Sequence, residues 1–346
     1  MKQEKIGKEI RDKALEIGFD GCGIIKIDEI KEYFDTLNKN SIEYPELKLF
    51  YDNLGKLAFP EKTHQWAKSI IVCVNNYGKY KIPENLNGII SKFYLFDYKW
   101  KNNSTDFKKI ELFEKYLEEA GIKFVKDSVL GVTPSRLAAV KANLGIIRKN
   151  NFFYNKNGSW SWIETWVTDR EMEFKEDKND LEECPEGCNE CIKSCPTKAL
   201  CKPYFTNILT CVTRLSYGAR GVTPKPLRDK MGSWIYGCDL CQNSCPMNKG
   251  KWKEDEDFKY LDEKIMNISL EEIFLEDEEN LKKMFFPVFA FINHERIWVW
   301  KCNVIIAMAN NYQPKYREYI DMATTSENEN IREVGLWAKE RIKDFD

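Results

Sequence analysis

No stretch of this 346-residue chain stays apolar for the length of a membrane span; the longest apolar runs, such as Ile70–Val74, suit buried strands. The opening residues Met1-Lys2-Gln3-Glu4-Lys5 lead straight into a charged, helix-like stretch, without an apolar signal region or a twin-arginine motif. The expected location is therefore the cytoplasm, with no membrane partner. Charge of one sign is lacking too: 53 Lys and Arg stand against 55 Asp and Glu, net −2. Nothing at this level demands a nucleic-acid partner, although a local basic face can hide inside a neutral total. Histidine is nearly absent. His64 and His294 are the only two, and both read as surface or structural residues. With 43% apolar and 31% charged residues the chain is not of a disordered class. Its length allows two or three domains, each with a core.

Cysteine is what the chain has in quantity. There are twelve, and in a reducing compartment clustered cysteines point to metal ligands or redox centres rather than disulfides. Cys22, Cys73, Cys201 and Cys302 are scattered, and the first two sit in strand-like runs where a small buried hydrophobe is the default. The other eight form two groups. The first is Cys184-x3-Cys188-x2-Cys191-x3-Cys195-Pro196; the second is Cys211, then Cys238-x2-Cys241-x3-Cys245-Pro246. In a bacterial-ferredoxin pattern a tight loop aims three thiolates at one cube, while the fourth cysteine, followed by proline, ligates the other cluster. The extra residue in the first spacing is accommodated by Gly187. That scheme gives Cys184, Cys188, Cys191 and Cys245 to one [4Fe–4S] cluster and Cys195, Cys211, Cys238 and Cys241 to a second. Zinc also binds C-x2-C pairs, but two Cys-Pro endings in matching positions favour clusters.

Upstream, apolar positions Ile6, Ile10, Ala14 and Ile17 predict an amphipathic helix over 3–18. Strands are expected from Cys22, at 69–74, at 88–96 and at 122–128. A helix from Asp106 to Ala120 should bury Phe107, Ile110, Leu112, Phe113 and Leu117, and a second helix should run from Pro134 to Gly145. Asn157-Gly158 between two β-like runs is a hairpin signal, and the acidic stretch 171–186 reads as a linker or exposed loop. Beyond about residue 260 the pattern is helical, and 295–309 with 329–342 resembles a pair of HEAT-type repeats. The expected fold is α+β: a mixed α/β cofactor and substrate domain over 1–172, a ferredoxin-like double-cluster domain over 173–255, and a helical HEAT-like segment over 256–346. Saturated clusters move single electrons and seldom do substrate chemistry themselves. A pure electron carrier would not need the large upstream domain, so the substrate or a second cofactor is expected there.

The chain resembles the epoxyqueuosine reductase family, related to the reductive dehalogenases. The resemblance rests on Leu137-Ala-Ala-Val-Lys-Ala-Asn-Leu-Gly145, Lys149-Asn150, Gly158-Ser-Trp160, Cys195-Pro-Thr-Lys-Ala-Leu200, Cys211, Ile235-Tyr-Gly-Cys-Asp-Leu-Cys-Gln242 and Cys245-Pro-Met-Asn248. It implies a base-off cobalamin in the N-terminal domain, reduced by the nearer cluster, and removal of the epoxide oxygen of epoxyqueuosine in a tRNA anticodon loop. The scarcity of histidine suits a cobalamin without a histidine ligand. The resemblance further implies Asp127 as proton donor, with Asp97, Tyr98, Ser128 and Arg136 at the cofactor. Such a carboxyl needs a raised pKa, which burial supplies; an ordinary strand-end aspartate is the plainer reading of Asp127.

Three departures fall in the expected pocket: Lys99 where the family has histidine after Asp-Tyr, two extra residues between Ser128 and Arg136, and Ser135 where a glutamate is usual. The open alternatives are a same-architecture reductase acting on a small molecule and a non-catalytic two-cluster electron carrier. Expected partners are a tRNA and a low-potential donor such as ferredoxin or flavodoxin, with the chain a monomer. Between Lys198 and Lys253 ten Lys or Arg, among them Arg214, Arg220, Arg228 and Lys251, stand against two acids. This excess suits tRNA phosphates, or equally offsets the negative charge of two clusters. Trp160, Trp162 and Trp234 are candidates for stacking on bases, or core residues.

Overall fold

Residues 2–96, 104–126, 131–218, 221–261, 263–285, 292 and 295–345 are described by the structure, a computed structural model. Asp97, Tyr98, Asp127, Ser128, Arg220 and His294 lie outside the described residues.

Ile- and Val-rich runs build a four-stranded antiparallel sheet from β1 (Gly21–Lys26), β2 (Ser69–Asn76), β3 (Phe124–Val125) and β6 (Ser161–Thr168), in the order β1-β2-β6-β3. Two further strands, β4 (Ile146–Ile147) and β5 (Phe153–Tyr154), pair in a separate ribbon. Because successive side chains point to opposite faces, the central strands bury both. Cys22, Ile24, Ile71, Cys73, Trp162 and Trp166 pack with Ile10 and Ala14 of the helix Lys2–Ile17 and with Ile110, Phe113 and Leu117 of the helix Thr105–Glu119. Ile25, Ile70, Val72, Val74 and Val167 pack on the other face, against Ala138, Ala139 and Ala142 at the helix Ser135–Lys141. Cys22 and Cys73 stand opposite each other across β1 and β2, both fully buried. They serve as small core residues.

Four expectations are corrected. Residues 88–96 do not form a strand: Lys92–Leu95 is a helical turn, and Ile90 makes only a single bridge to Tyr236. A tertiary cap overrides the β-forming composition, since the buried Asp239 carboxylate accepts from Ser91 Oγ (2.6 Å) and from the Lys92 backbone N–H (2.8 Å). Leu112 is 56% exposed rather than part of the buried stripe. The helix from Pro134 ends at Lys141, because Asn143 takes φ 62° and Leu144 N–H turns back to Ala139 O. The hairpin turn forms, with Asn155 bridging Gly158, but it separates two sheets: β5 pairs with β4 while β6 joins the main sheet.

The C-terminal helices Trp298–Asn310, Arg317–Thr324 and Glu329–Arg341 pack on one another and brace the cysteine-rich segment. Asn303 Nδ2 donates to Ser216 O (2.8 Å) and Ile235 O (2.9 Å), and Arg228 Nη2 donates to Glu333 Oε1 (2.8 Å). One apolar core runs without a break from Ile10 to Ile342. Among the described residues no helix is long and apolar enough to cross a membrane.

Candidate iron–sulfur and cofactor site

The eight cysteines of the two motifs gather around two adjacent cavities. One is lined by Cys184, Cys188, Cys191 and Cys245, the other by Cys195, Cys211, Cys238 and Cys241. Two short helices, Glu190–Ser194 and Leu240–Asn243, hold the loops face to face. After each, the Cys-Pro step leaves the helix in an extended conformation, at φ −74° for both Cys195 and Cys245. That redirection carries each of these cysteines to the cavity formed mainly by the other motif. Among the described residues no three or more His, Cys, Asp or Glu converge on a point suited to a single metal ion. The four cysteines of each set instead line one shared cavity.

Burial pushes the thiols of Cys191, Cys211, Cys238 and Cys241 up. Iron binds thiolate, so filling these cavities releases protons and couples assembly to pH. Of the remaining cysteines, Cys201 is exposed and Cys302 buried in the C-terminal core.

Buried polar side chains that the sequence motifs carried without a role fix the second cysteine loop to the upstream strands. Asn150 Nδ2 donates to Tyr154 OH (2.8 Å) and to Cys241 O (3.1 Å). Asn248 Nδ2 donates to Ser159 Oγ (2.8 Å) and Gln242 O (2.9 Å), while Ser159 N–H returns to Asn248 Oδ1 (2.9 Å). Gly158 and Gly237 stand where close approach forbids a side chain. A Cβ on Gly158 would lie 2.5 Å from Asn248 Oδ1, and one on Gly237 2.4 Å from Ser91 Cβ. Lys92 lies over the rings of Trp160 (4.4 Å) and Trp252 (4.7 Å) and donates to Asn243 Oδ1 (2.9 Å); burial pushes its pKa down.

Two larger cavities adjoin. One, about 200 Å³, is walled by Tyr77, Phe93, Phe152, Phe153 and Trp162 with Ser135, Arg136, Ser159 and Ser161 between them. The other, about 310 Å³, is lined by Tyr33, Phe50, Tyr51, Tyr204 and Phe205 among others. Both include Arg136 and Phe152 in their walls. The second cavity shares Asn150, Phe152, Cys211 and Thr213 with the cysteine cavity of Cys195, Cys211, Cys238 and Cys241. Arg136 is exposed, and its Nη1 donates to Asn151 O. No histidine lines these cavities among the described residues, and His64 packs beside Trp66 instead (5.3 Å between centroids).

The basic stretch is only partly available to a polyanion. Arg228 is 2% exposed and committed to Thr223 O and Glu333, and Lys251 Nζ donates to Lys156 O. Lys225, Lys230, Lys249 and Lys253 are exposed. Trp160 and Trp234 are buried core residues, whereas Trp162, also buried in the core, presents its ring to the cavity of about 200 Å³.

Residues 183–248 match the family described as a 4Fe-4S double cluster binding domain. An epoxyqueuosine reductase of Leadbetterella byssophila is 30% identical over 245 residues, covering 70% of this chain and 79% of that protein. The chain belongs to the epoxyqueuosine reductase family. Family members of known structure share the fold end to end. The Streptococcus thermophilus epoxyqueuosine reductase superposes with a TM-score of 0.81 at 22% identity, covering 98% of this chain and 91% of that one. An epoxyqueuosine reductase crystallised with an epoxyqueuosine-modified tRNA-Tyr stem loop gives 0.78 at 23% identity, covering 98% and 90%. The chain is thus an iron–sulfur oxidoreductase of the epoxyqueuosine reductase family, with the α+β architecture and C-terminal helices expected from sequence.

Proposed function

We propose that this chain is a cobalamin-dependent reductase that removes the epoxide oxygen of epoxyqueuosine in tRNA. The observation that carries the reading is the sharing of Asn150, Phe152, Cys211 and Thr213 between a four-cysteine cavity and a large aromatic cavity of the upstream sheet. One [4Fe–4S] cluster is assigned to Cys184, Cys188, Cys191 and Cys245, the other to Cys195, Cys211, Cys238 and Cys241. On this reading residues 1–172 serve cofactor and substrate, 173–255 the clusters, and 256–346 brace them. A low-potential cytoplasmic donor such as ferredoxin or flavodoxin supplies electrons to the monomer.

The linings of the two cavities, which share Arg136 and Phe152, suit a corrin. Flat aromatic walls match a planar macrocycle, and the Ser135, Ser159 and Ser161 hydroxyls and the Arg136 guanidinium offer partners for its peripheral amides. The absence of histidine from the described linings suits a base-off form. Bound cobalamin would supply a cobalt centre reducible to a two-electron nucleophile. Converting the epoxide to an alkene takes two electrons and two protons and releases water, so the protein must provide a proton source. Asp127 is assigned that role, with Asp97, Tyr98 and Ser128 beside the cofactor. A structure of the Bacillus subtilis epoxyqueuosine reductase has an aspartate-bearing catalytic loop swung out of the active site, which supports an aspartate in this task. The exposed lysines 225, 230, 249 and 253 offer phosphate contacts to the tRNA.

Purified anaerobic protein should shift added cobalamin to its base-off spectrum and convert tRNA-bound epoxyqueuosine. No spectral shift removes the cofactor from the account. Cobalamin binding without tRNA affinity at low salt favours a small-molecule substrate, the reading that Ser135 and Lys99 leave open. Asp127→Asn should retain both clusters and cobalamin while turnover falls at least about 100-fold; unchanged turnover would sink the proton-donor role.

A further inference from the structure

The sequence Gly145-Ile-Ile-Arg148-Lys149-Asn150 leaves β4 in a tight turn. Arg148 N–H donates to Phe152 O (3.0 Å), and Asn151 N–H returns to Arg148 O (2.7 Å) with Asn151 at φ 65°. The turn folds Arg148 inward until it is 2% exposed, with its guanidinium 5.1 Å from the centre of the Tyr154 ring. It lines the cavity of Cys184, Cys188, Cys191 and Cys245. Among the described residues no carboxylate pairs with it, and its Nε and Nη1 have no hydrogen-bond partner. A buried guanidinium without an anion is costly, so the site calls for a negative group in that cavity. Its neighbours are already committed: Lys149 Nζ donates to Cys188 O (2.9 Å), and the Tyr154 hydroxyl accepts from Asn150 Nδ2 (2.8 Å). The second cysteine cavity differs in kind. Among the described residues no charged side chain lines it, and Phe152, Ala199, Leu200, Val212 and Leu240 stand in its walls.

Cluster potentials follow net charge and hydrogen bonds to sulfur. Reduction adds one electron from the donor to the cluster core, with no bond broken and no proton taken up. The extra negative charge is stabilised by a fixed cation with free N–H donors, and not by an apolar wall. We propose that Arg148 sets the potential of the cluster held by Cys184, Cys188, Cys191 and Cys245, so that this cluster is reduced before the one beside the aromatic cavity. The inference rests on the reading that both cavities hold [4Fe–4S] clusters. It makes the Arg148 cluster the electron entry point and its neighbour the stronger reductant.

The test is an EPR-monitored redox titration of the full-length, cluster-loaded chain, with iron analysis alongside. Wild type should show two midpoints separated by at least tenfold in reduced-to-oxidised ratio, about 59 mV for a one-electron couple. Arg148→Gln should lower the higher midpoint by a similar factor and leave the lower one within twofold. Arg148→Lys, which keeps the charge, should stay nearer to wild type. Coincident wild-type midpoints would overturn the proposal, as would an Arg148→Gln protein with eight irons and an unmoved higher midpoint. If Arg148→Gln loses iron, the wild-type separation decides alone. Wild-type protein without two clusters contradicts the cluster reading instead, so the two failures are distinguishable.

Discussion

Gly237 and Gly187 both lie in cysteine loops with left-handed backbone, at φ 73° and φ 69°, and their alanine variants should part company. A Cβ on Gly187 meets nothing within 4 Å, so Gly187→Ala bears only the backbone term, about 1–2 kcal/mol. A Cβ on Gly237 would lie 2.4 Å from Ser91 Cβ and 2.7 Å from the Tyr94 ring. Neither is the free end of a flexible chain, so overpacking adds about 1–3 kcal/mol. The segment has little room to yield, because Gly237 N–H donates to Ser216 Oγ (2.8 Å) and Asp239 is tied to Ser91 and Lys92. Strain at Gly237 is therefore passed to Cys238 and Cys241. With about 2–4 °C per kcal/mol in a domain of 150–250 residues, Gly237→Ala should melt at least about 2 °C below Gly187→Ala. Anaerobic purification and iron analysis should give about four irons per chain for Gly237→Ala and about eight for Gly187→Ala. A Gly237→Ala protein with eight irons, melting with Gly187→Ala, would refute the claim that this contact positions the loop.

Two further outcomes concern stability and binding. Asp106 is buried; burial raises its pKa, but the Lys109 charge and hydrogen bonds from Tyr80 and Asn75 outweigh it and hold the carboxyl below its usual value. Its contribution is therefore present above the unfolded carboxylate pKa of about 3.9 and lost as pH falls through the folded value. Asp106→Asn should melt below wild type at pH 7 and converge with it in acid; a gap that widens on acidification would contradict this. Arg228→Met should cost about 1–3 kcal/mol of stability and leave the salt dependence of tRNA binding unchanged. Lys249→Ala should lower that slope by about one, so a slope change with Arg228→Met and none with Lys249→Ala would reverse the assignment.

The cysteine spacing was legible because it encodes a local geometry: loop, short helix and Cys-Pro redirection all lie within a few residues of one another. The sheet was legible from Ile70–Val74, whose burial on both faces leaves a continuous apolar run, and from the β-forming residues of Trp162–Val167. Residues 88–96 misled because the determinant of their helical turn, Asp239, lies far along the chain. Arg228 looked like a phosphate ligand because composition cannot register Glu333 closing over it. Asn150, Gln242 and Asn248 stood in the recognised motifs, yet their joint network needs β5 and the cysteine loops brought face to face. Arg148 gave no sequence signal at all. Its isolation from carboxylates is a property of the folded cavity.

The cross-ligation of two cubane clusters is tested most directly by counting iron in two double variants. Cys184 and Cys245 line one cavity, whereas Cys184 and Cys195 line different ones. Cys184→Ala with Cys245→Ala should remove one cluster and leave about four irons per chain and one reducible EPR signal. Cys184→Ala with Cys195→Ala should remove both clusters. Loss of both clusters in the first variant, with one surviving in the second, would mean that each motif closes on itself and would contradict the account.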